Sequence, residues 1–264
     1  MEILVCIKQV PDDSVEIKLN RDTNKPAIEN VTPVVNAFDT YALEMATRFK
    51  EANGGEITVI SIGPEKAKDS LKNCLAVGAN KAFLVNDTEL PELDTLSTSY
   101  VIEKAIKKIE DINGKKFDVI FCGKETTDYT SAQVGAELSE LLNVGLITNI
   151  IEISTSDLGI KAKQETEEGY NLLETAVPCV VTVTKPNYDP RYPTIKSKMA
   201  ARKTPITVLS LSELSLDDLR LNSYVKVVKE YEPSKREAGI KIKEETCADS
   251  ALKAIAMMAE AKVI

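Results

Sequence analysis

No histidine and no tryptophan occur among the 264 residues, and aromatic side chains make up only 5%. Without histidine the commonest general base and the commonest metal ligand are both missing. Ser-His-Asp and Cys-His hydrolases are therefore excluded, no catalytic or metal-ligating residue is assigned, and any chemistry has to come from a cofactor. The five cysteines, Cys6, Cys74, Cys122, Cys179 and Cys247, are far apart and form no CxxC pair. Neither a zinc site nor a disulfide framework follows from that spacing. They read as reduced packing residues of a cytoplasmic protein, Cys6 and Cys122 lying inside apolar strands. No stretch approaches the roughly 18 consecutive apolar residues of a membrane span. The opening MEILVCIKQV has an acid at position two and no basic lead-in, which reads as a first buried strand rather than a signal peptide. Basic residues number 33 against 41 acidic ones, a net charge of -8 that disfavours nucleic acid and anionic lipid as partners.

What the chain does contain is alternation. EILVCI (Glu2–Ile7), ITVISI (57–62), AFLV (82–85) and FDVIFC (117–122) are short apolar runs, suited to parallel strands covered on both faces. Between them Phe38, Tyr41, Ala42, Met45, Ala46 and Phe49 fall on one helical face, which Asn53, Gly54 and Gly55 terminate. Val134, Leu138, Leu141 and Leu142 repeat the pattern after the fourth strand. Such βα units predict an α/β fold with a mostly parallel sheet. From Ile147 the rhythm changes. Residues 149–154, 159–164, 170–174 and 179–184 read as strands joined by short turns, which predicts an antiparallel meander added to that sheet. Pro186, Pro190, Pro193 and Pro205 predict a largely irregular segment, followed by one apolar run at 206–209. A highly charged stretch, 230–245, then leads to a helix at 248–261 with a narrow stripe of Leu252, Ile255 and Met258, suited either to packing on its own domain or to docking on another chain.

The stretch FDVIFCGKETTDYTSAQVGAELSELL (117–142) carries the most chemistry. A strand ends at Gly123, a polar loop follows, and the pattern predicts a helix beginning near Asp128 to Ala132. Carboxyl ends of parallel strands face a crevice where ligands bind, and a helix N-terminus there favours phosphate. Gly123 would let backbone approach a ligand, and Thr126, Thr127, Thr130 and Ser131 offer hydroxyls. Asp128 suits a sugar hydroxyl or a capping role; Thr127 is a second capping candidate. Asn36, opening the first helix, could cap it or meet an adenine edge.

Five segments arrive in one order: IKQVPDD, VNAFDTYALEMATRFKEANGG, SIGP, GKETTDYTSAQVGAELSELL and DPRYPTIKSKMAARK. Together they resemble the beta subunit of electron-transfer flavoproteins over essentially the whole chain. The resemblance implies a Rossmann-like domain of the adenine-nucleotide hydrolase type over 1–205, and a C-terminal extension, 206–264, that packs on an alpha subunit. It places the nucleotide at Cys6, Asn36, Phe38, Asp39 and Ile62. The same nucleotide would meet Gly123, Lys124, Glu125, Thr126, Thr127 and Asp128, then Ala132, Gln133, Val134 and Gly135. It makes 189–203 a loop that docks on an acyl-CoA dehydrogenase, with Ile195 as apolar anchor beside Tyr192 and Met199.

Within that family the bound nucleotide is either a structural AMP or, in electron-bifurcating members, an FAD that accepts hydride from NADH. NAFDTYALE and DPRYPTIKSKMAARK look more like the bifurcating members, so FAD is the expected cofactor and AMP the alternative. A universal-stress-protein-like, ATP-binding regulatory domain shares the topology and is the rival from another class.

Overall fold

The computed structural model describes residues 1–234 and 238–264; residues 235–237 of the charged stretch lie outside the described residues. In chain order the first elements are β1 (Glu2–Cys6), a small hairpin of β2 (Gln9–Pro11) and β3 (Pro33–Val35), and α1 (Ala37–Asn53). Then come β4 (Glu56–Gly63), α2 (Ala67–Val77), β5 (Lys81–Asn86), α3 (Thr95–Asn113), β6 (Val119–Gly123) and α4 (Val134–Leu142). The second half adds β7 (Gly145–Ser156), β8 (Gly159–Thr166), β9 (Gly169–Thr175), β10 (Cys179–Val183), α5 (Ile195–Lys203), β11 (Thr207–Leu209) and α6 (Cys247–Glu260).

One nine-stranded sheet runs β11-β5-β4-β1-β6-β10-β7-β8-β9. It is parallel from β11 to β7, and β8 and β9 are added antiparallel. The apolar run of β1 is continuous because both of its faces are covered. Ile3 and Val5 pack with Met45, Ala46 and Phe49 of α1 and Leu71 of α2. Leu4 and Cys6 pack in the opposite layer with Val101, Ala105 and Ile106 of α3 and Leu138 of α4. The helical face read at Phe38–Phe49 is the buried one, and Gly54, at φ 74°, ends that helix.

Three sequence expectations need correction. The fourth strand of the expected meander, β10, is parallel and lies between β6 and β7. All of its residues are buried, and only an interior position in the sheet covers both faces of CVVTV. The proline-rich segment is not largely irregular, since it contains α5. Between Pro193 and Pro205 no proline interrupts the chain, and Thr194 and Ser197 form a reciprocal capping box that starts the helix. The helix expected to begin near Asp128 to Ala132 begins at Val134 instead. Thr130 and Ala132 adopt left-handed backbone, φ 50° and 55°, which an α-helix cannot include.

The apolar run at 206–209 becomes the edge strand β11 beside β5. The chain stays on the domain past residue 205, with Leu214 and Leu221 buried against the α3 layer. Beyond that, α6 forms where the stripe predicted it and has no buried residue. Among the described residues, no helix is long and apolar enough to cross a membrane.

Phe121 is fully buried, with its ring 6.4 Å from that of Phe49, and joins β6 to α1. Phe121→Ala is expected to cost about 3–5 kcal/mol, read as a lower denaturation midpoint at unchanged slope. A loss under about 1 kcal/mol would show that this layer repacks freely.

Candidate functional site

The strand order reverses direction between β1 and β6: β4 and β5 lie on one side of β1, and β6 follows on the other. Both intervening helices leave the sheet there on opposite faces, which opens a crevice at the carboxyl ends of the two strands. The residues expected to hold a nucleotide collect around it. Cys6 ends β1, Asn36 to Asp39 begin α1, Ile62 lies near the end of β4, and Gly123 ends β6. Lys124 to Gln133 form the loop that follows.

Asp39 is the hinge of this arrangement. Its side chain, in the first turn of α1, is almost fully buried and accepts from the Lys8 amide at 2.7 Å, just past β1. Burial pushes the carboxyl up to about 7, against the opposing effects of hydrogen bonds from the Lys8 amide, the Asn36 side chain and the Gly123 amide. One carboxylate thus ties the first turn of α1 to the ends of β1 and β6. This accounts for the glycine at 123. A Cβ there would collide with Asp39 Oδ1 and with Phe38 of α1. Gly135 has a similar origin: its first-turn position in α4 packs directly against Thr182 of β10.

Asn36 occupies the N-cap position of α1 but makes no capping bond. Its Nδ2 donates to the Glu125 carbonyl at 2.8 Å, and its Oδ1 accepts from the Thr127 amide at 3.1 Å. Capping the helix is therefore not its work. It holds the loop over the crevice. Lys124 donates its amide to the Val183 carbonyl at 2.8 Å, and Lys8 pairs with Asp128 at 2.7 Å while lying over the Tyr129 ring. Neither Thr127 nor Asp128 caps α4. The cap position belongs to Gln133, whose side chain makes no capping bond.

The donor chemistry fits an adenine nucleotide. First-turn amides of a helix have no carbonyl partner within it, and the ladder of α4 starts only where Glu137 donates to the Gln133 carbonyl. The Glu137 carboxylate, which would oppose an anion there, is held against α3 by the Ser99 hydroxyl at 3.1 Å. Thr126, Thr127, Thr130 and Ser131 supply hydroxyls in the same loop. A phosphate meets favourable dipoles at such a place. Cys6 and Cys122 are buried in one cluster at the crevice floor; the neighbouring Cys122 thiol and burial raise the Cys6 pKa well above its ordinary value, so its thiol serves there as packing.

Comparison with known proteins agrees with this geometry. Residues 27–214 match the family model for the electron transfer flavoprotein domain. The electron transfer flavoprotein subunit beta of Megasphaera elsdenii is 38% identical, over 93% of this chain and 92% of its own. The Bacillus subtilis protein of the same name is 32% identical over the full length of both chains. The caffeyl-CoA reductase-Etf complex subunit CarD of Acetobacterium woodii is 35% identical, over 82% of this chain and 80% of its own. The chain belongs to the electron transfer flavoprotein family, as a beta subunit. That sets aside the regulatory, ATP-binding alternative.

In this beta subunit the residues expected to dock a partner lie away from the crevice, on and before α5. Tyr192, Ile195 and Met199 are 92%, 82% and 58% exposed, and Ile195 and Met199 line an open groove with Lys196, Ala200 and Lys203. The Asp39, Lys8–Asp128 and Asn36 contacts were not legible beforehand. The only available sign was a pair of polar residues, Asn36 and Asp39, at the start of an otherwise apolar helix face.

The raised Asp39 carboxyl has a measurable consequence. Its folded-state value near 7 lies above the roughly 3.9 of an unfolded aspartate, so the folded protein takes up a proton. Its stabilising contribution is complete below about pH 4 and is lost as pH rises through 7. Relative to Asp39→Asn, which does not titrate, the nucleotide-free wild type should therefore lose stability between pH 5 and pH 8, on the order of 1 kcal/mol per pH unit. Urea titrations across that range with equal pH slopes for the two proteins would contradict the assignment.

Proposed function

We propose that this beta subunit binds FAD and works in a heterodimer with an alpha subunit, passing electrons between NADH, the flavin of that subunit and an acyl-CoA dehydrogenase. The carrying observation is the crevice between β1 and β6, where the uncapped N-terminus of α4 and a hydroxyl-rich loop face the sheet's carboxyl edge. FAD rather than AMP is supported by the likeness of NAFDTYALE and DPRYPTIKSKMAARK to bifurcating members. The acyl-CoA setting is supported by a relative named as part of a caffeyl-CoA reductase complex.

Bound FAD supplies hydride acceptance and one-electron transfer. The chain's own residues bind and orient. The first-turn amides of α4 offset the charge of a pyrophosphate. Asp128 would accept from a ribose hydroxyl, with Lys8, 2.7 Å away, balancing its charge. Backbone at Cys6 to Lys8 meets the adenine. None of these groups moves a proton in the reaction, in keeping with a chain that has no histidine.

The arm beyond Asn222 fits a partner chain. Tyr224, Val225, Val227 and Val228 are exposed, and so is the α6 stripe of Leu252, Ile255 and Met258. So much apolar surface on a charged segment is the pattern of an interface. The alpha subunit is the partner that would cover it, and α5 is left for the dehydrogenase.

The heterodimer should release FAD on denaturation, identified by mass spectrometry, with absorbance corresponding to two flavins per heterodimer. AMP with a single flavin would overturn the FAD assignment, and absence of any adenine nucleotide would overturn the site. Asp128→Ala leaves Lys8 without its partner and should weaken nucleotide retention several-fold on gel filtration; wild-type retention would remove Asp128 from the site. Ile195→Ala should raise the half-saturating concentration of a purified acyl-CoA dehydrogenase about 10-fold, with nucleotide content intact. An unchanged value would remove the docking role.

A further inference from the structure

Helix α5 has one buried residue, Ala201, and nine residues in all. A helix that short is marginal on its own, and this one has little apolar area to hold it in place. What holds it comes from elsewhere in the fold. On the approach to the helix, Arg191 meets two carboxylates of α1. Its Nε donates to Glu44 Oε2 at 2.8 Å, and its Nη1 and Nη2 reach the two oxygens of Glu51 at 2.6 and 3.1 Å. The Arg191 amide also donates to Glu44, at 3.2 Å. Glu44 is almost fully buried and is paired a second time, by Arg48 at 2.6 Å, whose guanidinium lies over the Tyr188 ring. Burial alone would raise the Glu44 carboxyl, but the hydrogen bonds from Arg191 and Arg48 hold it below its usual value.

At the exit from the helix the anchor is Lys72 of α2. Its ammonium donates to the carbonyls of Ala201 at 3.1 Å, Arg202 at 3.3 Å and Thr204. Three protons meet three carbonyls at the end of the helix, where the last carbonyls lack partners within it.

We propose that Arg191 and Lys72 are positioning residues that set α5 before a dehydrogenase arrives, so that the Ile195–Met199 face is presented at no further cost in order. The proposal rests on the reading of α5 as the docking element. A helix ordered only on contact would subtract its ordering entropy from the affinity. The two anchors remove that term without touching the partner. Arg191 needs its planar fork, because one guanidinium serves two carboxylates in different directions; a lysine would serve only one of them. Lys72 needs length and charge, which arginine retains and methionine does not.

The test uses the heterodimer in wild-type, Arg191→Lys, Lys72→Met, Lys72→Arg and Ile195→Ala forms. Hydrogen exchange is followed by mass spectrometry over residues 195–203, and electron delivery is followed against a varied concentration of purified acyl-CoA dehydrogenase. Arg191→Lys and Lys72→Met should each speed exchange in that segment about tenfold and raise half-saturation by about the same factor. Their maximal rate and nucleotide content should stay at wild-type values, and Lys72→Arg should keep most of the protection. Unchanged exchange in both variants overturns the proposal. So does faster exchange with unchanged half-saturation while Ile195→Ala raises it, a result that leaves docking standing. Should Ile195→Ala also leave half-saturation unchanged, the docking reading falls and the proposal falls with it.

Discussion

The Asp39 carboxylate is the contact on which the arrangement of the site depends. A parallel sheet offers a ligand its carboxyl edge only where neighbouring crossovers diverge, and here that place is the gap between β1 and β6. Left alone, the gap would be lined by strand-end amides with no partners. Asp39 supplies an acceptor from α1, taking the Lys8 amide beside β1 and favouring the Gly123 amide at the end of β6. Burying a carboxylate is costly, as the rise to about 7 records, and it persists because the donors converge from backbone that cannot move away.

From that contact the rest of the crevice follows in sequence. With α1 drawn down onto the strand ends, residue 123 has no room for a side chain, and Asn36 is brought under the loop that leaves β6. Asn36 then takes up a carbonyl and an amide of the loop, and Lys8 takes up Asp128. A loop so held turns sharply enough that Thr130 and Ala132 adopt left-handed backbone, and α4 starts late, at Val134. The late start leaves the α4 amides at the crevice without a side-chain cap. The anion-binding character proposed for the site would thus be a consequence of where the helix begins.

This explains which parts of the protein were legible in the sequence. The strands β1, β4, β5 and β6 were readable because a strand buried on both faces has to be apolar at every position. Helix α1 was readable because Ala42, Met45, Ala46 and Phe49 keep helical spacing. Helix α3 escaped because its buried face carries Ser97, Ser99 and Glu103 among the apolar residues. The orientation of β10 escaped because a short connection after β9 looks the same whether the next strand turns back beside it or crosses to the middle of the sheet. The place of the crevice was legible from the strand-loop-helix pattern, but its wiring was not. Asp39 and Lys8 are 31 positions apart, Asn36 and Glu125 are 89 apart, and Glu44 and Arg191 are 147 apart. Periodicity carries no information about contacts over such separations.

The two outward-facing helices divide along the same physical line. Helix α5 buries one residue yet is fixed at both ends by charged groups of α1 and α2. Its own charges are all basic, Lys196, Lys198, Arg202 and Lys203, in a chain whose net charge is -8. If α5 docks a partner as proposed, a rigid basic element on an acidic body would steer it through the field and meet it without reordering, which suits short-lived contacts. Helix α6 buries nothing, and its fixed contacts are local, such as the Thr246 cap and the Lys253–Glu244 pair. A segment with that much exposed apolar surface and so little tying it to its own domain gains order by association. On the proposed roles, affinity at α6 would draw on a large buried area, whereas affinity at α5 would come from a small face presented in advance.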